Sequence, residues 1–308
     1  MGTGTGTGDE GQGGASPART VPLTIQADRP EAALHLVATP IGAARDITLR
    51  ALDVLNAADV LAAEDTRNLR HLLDIHGIQV RGRRLIAYHD HNADRTRPAI
   101  LAALREGLSV AYASDAGTPL VADPGYRLAR DVAEAGLTVR ALPGPSAALA
   151  GLSVSGLPSD RFLFVGFPPS AQGARRKWIE SWLGIEATVI AFESPRRVKQ
   201  LLGNLCELEA NRSTVICREL TKRFEEVMRG TAEELMQRIP DEGLRGEIVV
   251  LFGHPPQKEV GEDDLRQALS DLPADLPVKE AAARIAARFG LPRRDVYALA
   301  LAIRKENQ

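Results

Sequence analysis

From Leu34 to Pro143 the chain alternates short apolar runs with segments of helical spacing, and this alternation restricts the folds that it can form. Each apolar run is too short for a buried helix, and four of the five are followed directly by Gly, Pro or Asp, as is common for buried strands. Strands that alternate with helices of about ten residues predict an open, largely parallel α/β sheet. The predicted strands are Leu34–Thr39, Asp59–Glu64, Arg84–Tyr88, Leu108–Ser114 and Leu137–Pro143.

A second group of strand-like runs begins near Pro158. Two of these runs, Ser213–Glu219 and Phe224–Gly230, follow each other so closely that they predict an antiparallel pair. This second domain is therefore expected to be mixed rather than parallel. Its other predicted strands are Arg161–Phe167, Ala187–Glu193 and Gly246–Gly253.

The two ends of the chain differ from these domains. The first 33 residues open with GTGTGTGDEGQGG and have too few apolar residues to fold alone, so we expect a disordered tail. Near the other end, Lys279–Lys305 is rich in basic residues and predicts two helices around a glycine turn. The predicted domains are residues 34–154 and 155–253, followed by a linker over 254–270 and a basic helical appendage over 271–308.

Composition excludes several classes of protein. The net charge is −2, so any binding of nucleic acid must use local basic patches. Aromatic residues make up 4% of the chain, which argues against stacking platforms of the kind that RRM and OB-fold proteins use. Cys206 and Cys217 lack metal-site spacing and predict reduced core thiols in a cytoplasmic protein. No apolar run approaches the roughly 20 residues of a membrane span.

Polar loops rich in small residues follow the five strands of the first predicted sheet. In such sheets ligands bind beyond the carboxyl ends of the strands. Any one of these loops is also explained by ordinary turn chemistry, but five at one edge favour a ligand site. The loops are Thr39–Asp46, Glu64–Arg67, His89–Asn92, Ser114–Gly125 and Pro143–Ala148.

The kind of ligand is narrowed by what these loops contain. No GxxxxGK[ST] motif is present, and no GxGxxG motif stands between a strand and a helix, which disfavours triphosphates and dinucleotides. The small residues of DAGTP and PGPSAA permit close backbone approach to a flat ligand, and few basic residues are nearby. A cationic adenosyl compound such as S-adenosylmethionine fits this description, although not uniquely.

Nine motifs in one order add a family resemblance that covers about Leu34 to Gly253. They are VATPIGAARDITLRAL, AAEDTR, YHDHN, SDAGTPLVADPG, LPGPSAAL, GFPP, FESPRR, RELTKRFEE and RGEIVVLFG. Together they resemble the tetrapyrrole-methylase superfamily, and within it the branch that methylates small-subunit ribosomal RNA. The resemblance implies the fold of the class III S-adenosylmethionine-dependent methyltransferases, with two α/β domains and a helical C-terminal appendage. It also implies a homodimer that methylates the ribose 2′-hydroxyl of a cytidine in the decoding region of 16S rRNA.

The resemblance further implies which residues bind S-adenosylmethionine in a cleft between the two domains. From the first domain these are Pro40, Gly42, Asp115, Ala116, Gly117, Thr118, Val121, Ser146, Ala147 and Ala148. From the second domain they are Phe192 and Gly246, which are assigned by their positions at strand ends.

A ribose hydroxyl is a weak nucleophile, so a nearby base or hydrogen-bond acceptor would assist its methylation. Glu64, Asp65, His89, His91 and Glu193 follow strands, and we favour Glu64 and His89 as catalytic residues. Asp65 is equally explained as a helix N-cap, and Glu193 as a salt-bridge partner of one of the two arginines that follow it. The two histidines lack an evident third metal ligand, so no metal site is predicted.

Arg67, Arg196 and Arg197 are the predicted RNA-binding residues, because guanidinium groups beside a cleft suit phosphates. The basic helical appendage either binds nucleic acid or is an ordinary helical hairpin. The predicted partner is 16S rRNA within the small ribosomal subunit, without any membrane. Two other functions stay open: a porphyrinoid methylase of the same fold, and a non-catalytic rRNA-binding assembly factor.

Overall fold

The computed structural model describes Met1 and residues 24–89, 91–122, 125–256, 262–273 and 276–306. The predicted disordered tail therefore lies largely outside the described residues. Its last part differs from the prediction, because Ile25 packs against an apolar cluster and the Gln26 N–H donates to Asp53 Oδ1 at 2.7 Å. Arg29 also pairs with Asp59 at 2.9 Å.

Five short strands form the first sheet, in the order β3-β2-β4-β1-β5, and all of them are parallel. This confirms the predicted parallel α/β sheet. The strands are β1 (Leu34–Val37), β2 (Val60–Ala63), β3 (Arg84–Ala87), β4 (Val110–Ala113) and β5 (Val139–Leu142). The helices that connect and follow them are α1 (Leu49–Ala57), α2 (Thr66–Ile75), α3 (Ala93–Arg105), α4 (Tyr126–Glu134) and α5 (Ala147–Ser155).

Apolar clusters cover both faces of this sheet. Along β2, Leu61 belongs to a cluster with residues of α1 and α2, whereas its neighbour Ala62 belongs to one with residues of α3 and α4. Successive side chains of a strand point to opposite faces, so a strand buried on both sides reads as a continuous apolar run. This burial explains why the strands were recognisable from sequence.

The second sheet is mixed, as predicted, and has the order β6-β7-β10-β8-β9. Only β6 and β7 are parallel, and β8 and β9 form the predicted antiparallel pair. The strands are β6 (Phe162–Phe164), β7 (Thr188–Glu193), β8 (Ser213–Arg218), β9 (Glu226–Thr231) and β10 (Ile248–Phe252). The accompanying helices are α6 (Gln172–Leu183), α7 (Val198–Glu209) and α8 (Ala232–Arg238).

Helix α5 and the loop after β1 join the two sheets. Ala148 and Leu152 of α5 and Ile41 of that loop share one buried cluster with Ile190 and Leu251 of the second sheet. Both sheets and α1–α8, except the last residue of α6, lie within one compact unit.

Three helices form a second compact unit at the C-terminal end: α9 (Glu262–Ser270), α10 (Val278–Phe289) and α11 (Arg293–Glu306). Helix α9 occupies residues assigned to the linker, because Leu265 and Ala268 pack into the small apolar core of this unit. Gly290 ends α10 with a φ of +66°, which is the predicted glycine turn. Across the described ranges, no helix combines the length and the apolar character needed to cross a membrane.

Candidate functional site

The loops after β1, β4 and β5 meet because these three strands are neighbours in the sheet. Thr39 and Gly117 exchange backbone hydrogen bonds of 2.9 and 3.0 Å. Thr118 Oγ1 then donates to the Pro145 carbonyl at 3.0 Å, which links the loop after β4 to the loop after β5. The chain therefore brings Pro40, Asp115 and Ser146 to adjoining loops, as the ligand-site prediction requires.

The loop after β1 also contacts the turn that follows β8 in the second sheet. The Ala43 N–H donates to Thr221 Oγ1 at 3.1 Å. A Cβ atom on Gly42 would lie 2.5 Å from Lys222 Cγ and 2.6 Å from Thr221 Oγ1. Glycine is therefore needed at this position for the two segments to approach so closely.

Charged side chains stabilise the same turn. Lys222 Nζ donates to Glu219 Oε1 at 3.0 Å and to Glu247 Oε2 at 2.7 Å. The Glu247 backbone N–H and the Lys222 ammonium lower the pKa of Glu219. Burial opposes the charge of Lys222, but the bonds to Glu247 and Glu219 outweigh it and raise the pKa of Lys222. Glu219 and Lys222 are therefore both charged at neutral pH.

Between the two sheets lies a cleft of about 360 Å³, which we call the interdomain cleft. One wall is formed by the loops after β1, β4 and β5, and the other by residues of β7, β8 and β10 and the segments beside them. No lysine, arginine or histidine is among the lining residues within the described ranges. The sequence-predicted cofactor residues that line it are Ala116, Gly117, Thr118, Val121, Ser146, Ala147, Phe192 and Gly246.

Four predicted cofactor residues lie outside the lining. Pro40 precedes Ile41, which does line the cleft, and Gly42 packs against Lys222. Asp115 Oδ1 accepts the Asp65 N–H at 3.0 Å, so this carboxylate connects two loops of the first domain. Ala148 is buried in the apolar cluster of α5.

Several lining residues of the second domain were not predicted from the sequence, including Phe167, Cys217 and Leu220. Phe167 lies within the GFPP motif, so its motif was visible although its role was not. Cys217 is fully buried, and burial raises the pKa of its thiol to about 11. Its thiol therefore stays protonated at neutral pH and is not a nucleophile.

Glu64 and His89, the favoured catalytic residues, do not line the cleft. His89 follows β3, an edge strand separated from β4 by β2. The His89 backbone N–H donates to Asn92 Oδ1 at 3.0 Å, and the centroids of the His89 and His91 rings are 6.0 Å apart. Within the described residues, no group of three or more side chains able to hold a metal occurs. A catalytic role of Glu64 and His89 stays a prediction.

Asp65 is the N-cap of α2, as its alternative interpretation predicted. Its Oδ1 accepts the Arg67 N–H at 2.8 Å. The Arg67 guanidinium also donates to both carboxylate oxygens, and these bonds lower the pKa of Asp65 to about 2. Arg67 remains largely exposed, but its donors are partly occupied by this pair.

Glu193 forms the predicted salt bridge, and its partner is Arg197. Its carboxylate is fully buried and lies 2.7 Å from Arg197 Nη2. Arg197 Nη2 also donates to the Pro168 carbonyl at 3.0 Å. Glu193 and the Pro168 carbonyl thus occupy Nε and Nη2 of Arg197, and a role of Arg197 in RNA binding stays a prediction. Arg196 is exposed and has no ion-pair partner among the described residues.

Comparisons with known proteins agree with this architecture. The model of the tetrapyrrole (corrin/porphyrin) methylases matches residues 33–236, and that of the RsmI C-terminal HTH domain matches residues 259–304. The chain is 48% identical to the ribosomal RNA small subunit methyltransferase I of Mesorhizobium japonicum, over 87% of this chain and 90% of that protein.

Two solved structures share the fold. Diphthine synthase matches with a TM-score of 0.56 and 18% identity, over 71% of this chain and 89% of that chain. Uroporphyrin-III C-methyltransferase from Thermus thermophilus, complexed with S-adenosylhomocysteine, matches with a TM-score of 0.50 and 17% identity, over 72% of this chain and 97% of that chain. The matched family model covers most of the two-sheet unit, so this chain belongs to the tetrapyrrole methylase family.

Proposed function

We propose that this protein transfers a methyl group from S-adenosylmethionine to the ribose 2′-hydroxyl of a cytidine in the decoding region of 16S rRNA. The observation that carries the proposal is the interdomain cleft, which is lined by residues of the motifs shared with the family. The chain is also 48% identical to a ribosomal RNA small subunit methyltransferase I. The small ribosomal subunit is the proposed partner, and the cytoplasm the proposed location.

The residues of the interdomain cleft fit an adenosyl sulfonium compound. Small side chains such as Ala116 and Ala147 leave room for a flat adenosine, and Phe192 and Val249 supply apolar surface. Within the described ranges, no cationic side chain is among the lining residues, which disfavours a phosphate. The lining carboxylates of Glu193 and Glu247 are each already paired with a cation outside the lining. When bound, S-adenosylmethionine supplies a methyl group activated by its positive sulfur.

Catalysis by this chain consists mainly of alignment and exclusion of water. The lining residues would hold the methyl donor and the ribose hydroxyl in line with each other and would exclude water from them. The loops after β1, β4 and β5 hold one another by hydrogen bonds, so this wall is preorganised. The close contact of Gly42 with Lys222 holds this wall against the second sheet.

Two exposed arginines at the rim of the cleft are the proposed phosphate-binding residues. The Leu244 N–H donates to the Pro195 carbonyl at 2.9 Å, so the segments that carry Arg245 and Arg196 lie side by side. Both arginines are exposed, and neither forms an ion pair within the described ranges. Each is adjacent in sequence to a lining residue, Gly246 or Pro195. They are therefore placed to hold the phosphates that flank a ribose in the cleft.

The C-terminal unit is a second proposed RNA contact. Arg288, Arg293 and Arg294 are exposed around the turn between α10 and α11, where their positive charges are close in sequence. Helix-turn-helix units commonly bind nucleic acid, which supports this role. We also propose that the protein acts as a homodimer, as the family resemblance implies.

The proposal is tested by tritium transfer from labelled S-adenosylmethionine to 30S subunits that lack the modification, with the product mapped by mass spectrometry. We expect incorporation at one cytidine ribose. The double variant Arg196→Ala with Arg245→Ala should weaken RNA binding by roughly tenfold or more while leaving the affinity for S-adenosylhomocysteine unchanged.

The matched control is Arg105→Ala, which removes an exposed arginine from the C-terminal end of α3 and should change neither affinity. Transfer to a porphyrinoid instead of 30S subunits would favour a small-molecule methylase. Absence of S-adenosylhomocysteine binding would favour an assembly factor without catalysis.

A further inference from the structure

Phe167 is a large apolar side chain that stays 56% exposed although it lines the interdomain cleft. The second phenylalanine of the lining, Phe192, is partly buried against the apolar cluster of the second sheet. Other exposed phenylalanines, Phe162 and Phe224, do not line the cleft. An exposed ring at the rim of a ligand cleft is unfavourable in isolation and is suited to covering by a ligand.

The backbone around Phe167 is held in place on both sides. The Phe192 N–H donates to the Gly166 carbonyl at 3.0 Å, and Gly166 has a φ of +69°, which favours glycine. On the other side, the Pro168 carbonyl accepts from Arg197 Nη2 at 3.0 Å.

Further contacts hold Arg197 and the Phe167 ring in place. The buried Glu193 carboxylate holds Arg197 in turn at 2.7 Å. The ring of Phe167 packs at 66° to that of Phe192, with the ring centroids 5.6 Å apart. The exposed ring is therefore preorganised.

Two exposed guanidinium groups belong to segments that are hydrogen-bonded, directly or in turn, to the segment of Phe167. Arg197 links the Phe167 segment to the segment of Arg196, and the bond from Leu244 N–H to the Pro195 carbonyl adds the segment of Arg245. One uncovered ring with two guanidinium groups that form no ion pair in the described part of the chain matches the chemistry of an unstacked nucleotide. The base of such a nucleotide stacks on an aromatic ring, and the phosphates on either side of it bind arginine.

We infer that Phe167 stacks on the nucleobase of the RNA nucleotide whose ribose enters the interdomain cleft, which rests on the proposed function. The base of that nucleotide is then turned out of its neighbours' stack before methyl transfer. Among the lining residues of the described chain, Phe167 alone is a large apolar side chain that stays exposed, so its ring is accessible to a base that enters the cleft. A single ring of this kind is compatible with the low aromatic content of the chain.

The test is Phe167→Leu, which keeps apolar bulk but removes the aromatic face. We expect binding of a single-stranded, cytidine-containing RNA oligonucleotide to weaken by roughly 10- to 100-fold, because base–aromatic stacking contributes this much. Affinity for S-adenosylhomocysteine, measured by calorimetry, should stay unchanged. Phe167→Trp, which restores an aromatic face, should recover most of the RNA affinity. Phe162→Leu is the matched control, since Phe162 is 49% exposed, belongs to β6 and lies outside the lining.

An abasic version of the same oligonucleotide distinguishes stacking from a general structural effect. Wild type and Phe167→Leu should bind the abasic RNA equally, because the stacking partner is gone. An equal loss of S-adenosylhomocysteine affinity, or an undiminished affinity of Phe167→Leu for the intact RNA, would overturn the inference. If the wild-type protein methylates 30S subunits and Phe167→Leu does so equally well, the inference fails while the proposed function stands. If the wild type transfers no methyl group to 30S subunits, the proposed function itself fails.

Discussion

Arg196 and Arg197 are adjacent in the chain and have different environments. Arg197 is paired with a fully buried carboxylate, that of Glu193, whereas Arg196 is exposed without an ion-pair partner in the described part of the chain. A buried charge that loses its partner is costly, whereas an exposed charge is solvated by water. At the scale of single residues, one arginine therefore stabilises the fold and its neighbour is available to a ligand.

Replacing Arg197 with Ala should lower the free energy of unfolding by about 3 kcal/mol, because the Glu193 carboxylate would be left buried and unpaired. The control Arg196→Ala should change it by less than about 0.5 kcal/mol. Urea unfolding monitored by circular dichroism measures both values. Equal stabilities of the two variants would contradict this division of roles.

At the scale of elements, the decisive contact is between the loop after β1 and the turn after β8. Gly42 lies against Thr221 and Lys222, and the Ala43 N–H donates to Thr221. Lys222 is held in turn by Glu219 and Glu247. Since these segments adjoin opposite walls of the interdomain cleft, their contact determines how the walls face each other.

The variant Gly42→Ala should destabilise the protein by about 1–3 kcal/mol, because the added methyl group overpacks this contact. The affinity for S-adenosylhomocysteine should fall as well, since the two walls would be displaced. Urea unfolding and calorimetry measure the two effects.

Gly173→Ala is the matched control, because Gly173 lies in α6 and a Cβ atom there would meet nothing within 4 Å. Its stability should be unchanged or raised by up to about 1 kcal/mol. An undiminished stability and ligand affinity of Gly42→Ala would show that the contact is loose.

At the scale of the whole two-sheet unit, the cleft makes ligand binding and folding interdependent. Its lining combines loops of the first sheet with strands of the second, so the site exists only when both are folded and packed together. A ligand that binds only the folded state stabilises that state by mass action.

S-adenosylhomocysteine at 100 times its dissociation constant should therefore raise the free energy of unfolding by about 2.7 kcal/mol. ATP at the same concentration should have no effect, because no basic side chain occurs among the lining residues of the described chain. Urea unfolding with each ligand measures the difference. Equal stabilisation by both compounds would contradict the assignment of the cleft to an adenosyl thioether or sulfonium rather than a nucleoside triphosphate.

Much of the fold and one wall of the site were predictable from local sequence. The apolar runs that became β1, β4 and β5 are buried on both faces, and the carboxyl ends of parallel strands lie at one edge of a sheet. Loops that follow such strands therefore converge whatever the rest of the chain does. This is why the loops that contain Gly117, Thr118 and Ser146 were predicted to form a ligand site, whereas these individual residues were implied by the family resemblance.

The position of each strand within the sheet was decided by tertiary structure. His89 and Ser146 both follow strands, but β3 is separated from β4 by β2, whereas β5 is directly beside β1. Local sequence does not encode this order, so His89 was grouped with the site although it lies outside the lining.

The sequence by itself thus determined the fold class, the family and the loops of the first wall, because these depend on patterns within short segments. Only the tertiary structure decided that Arg197 pairs with the buried Glu193, that Phe167 lines the cleft and that Gly42 contacts Lys222. The physical reason is distance along the chain: the Ala43–Thr221 hydrogen bond joins residues 178 positions apart. Such contacts arise from the packing of whole sheets, which no local pattern records.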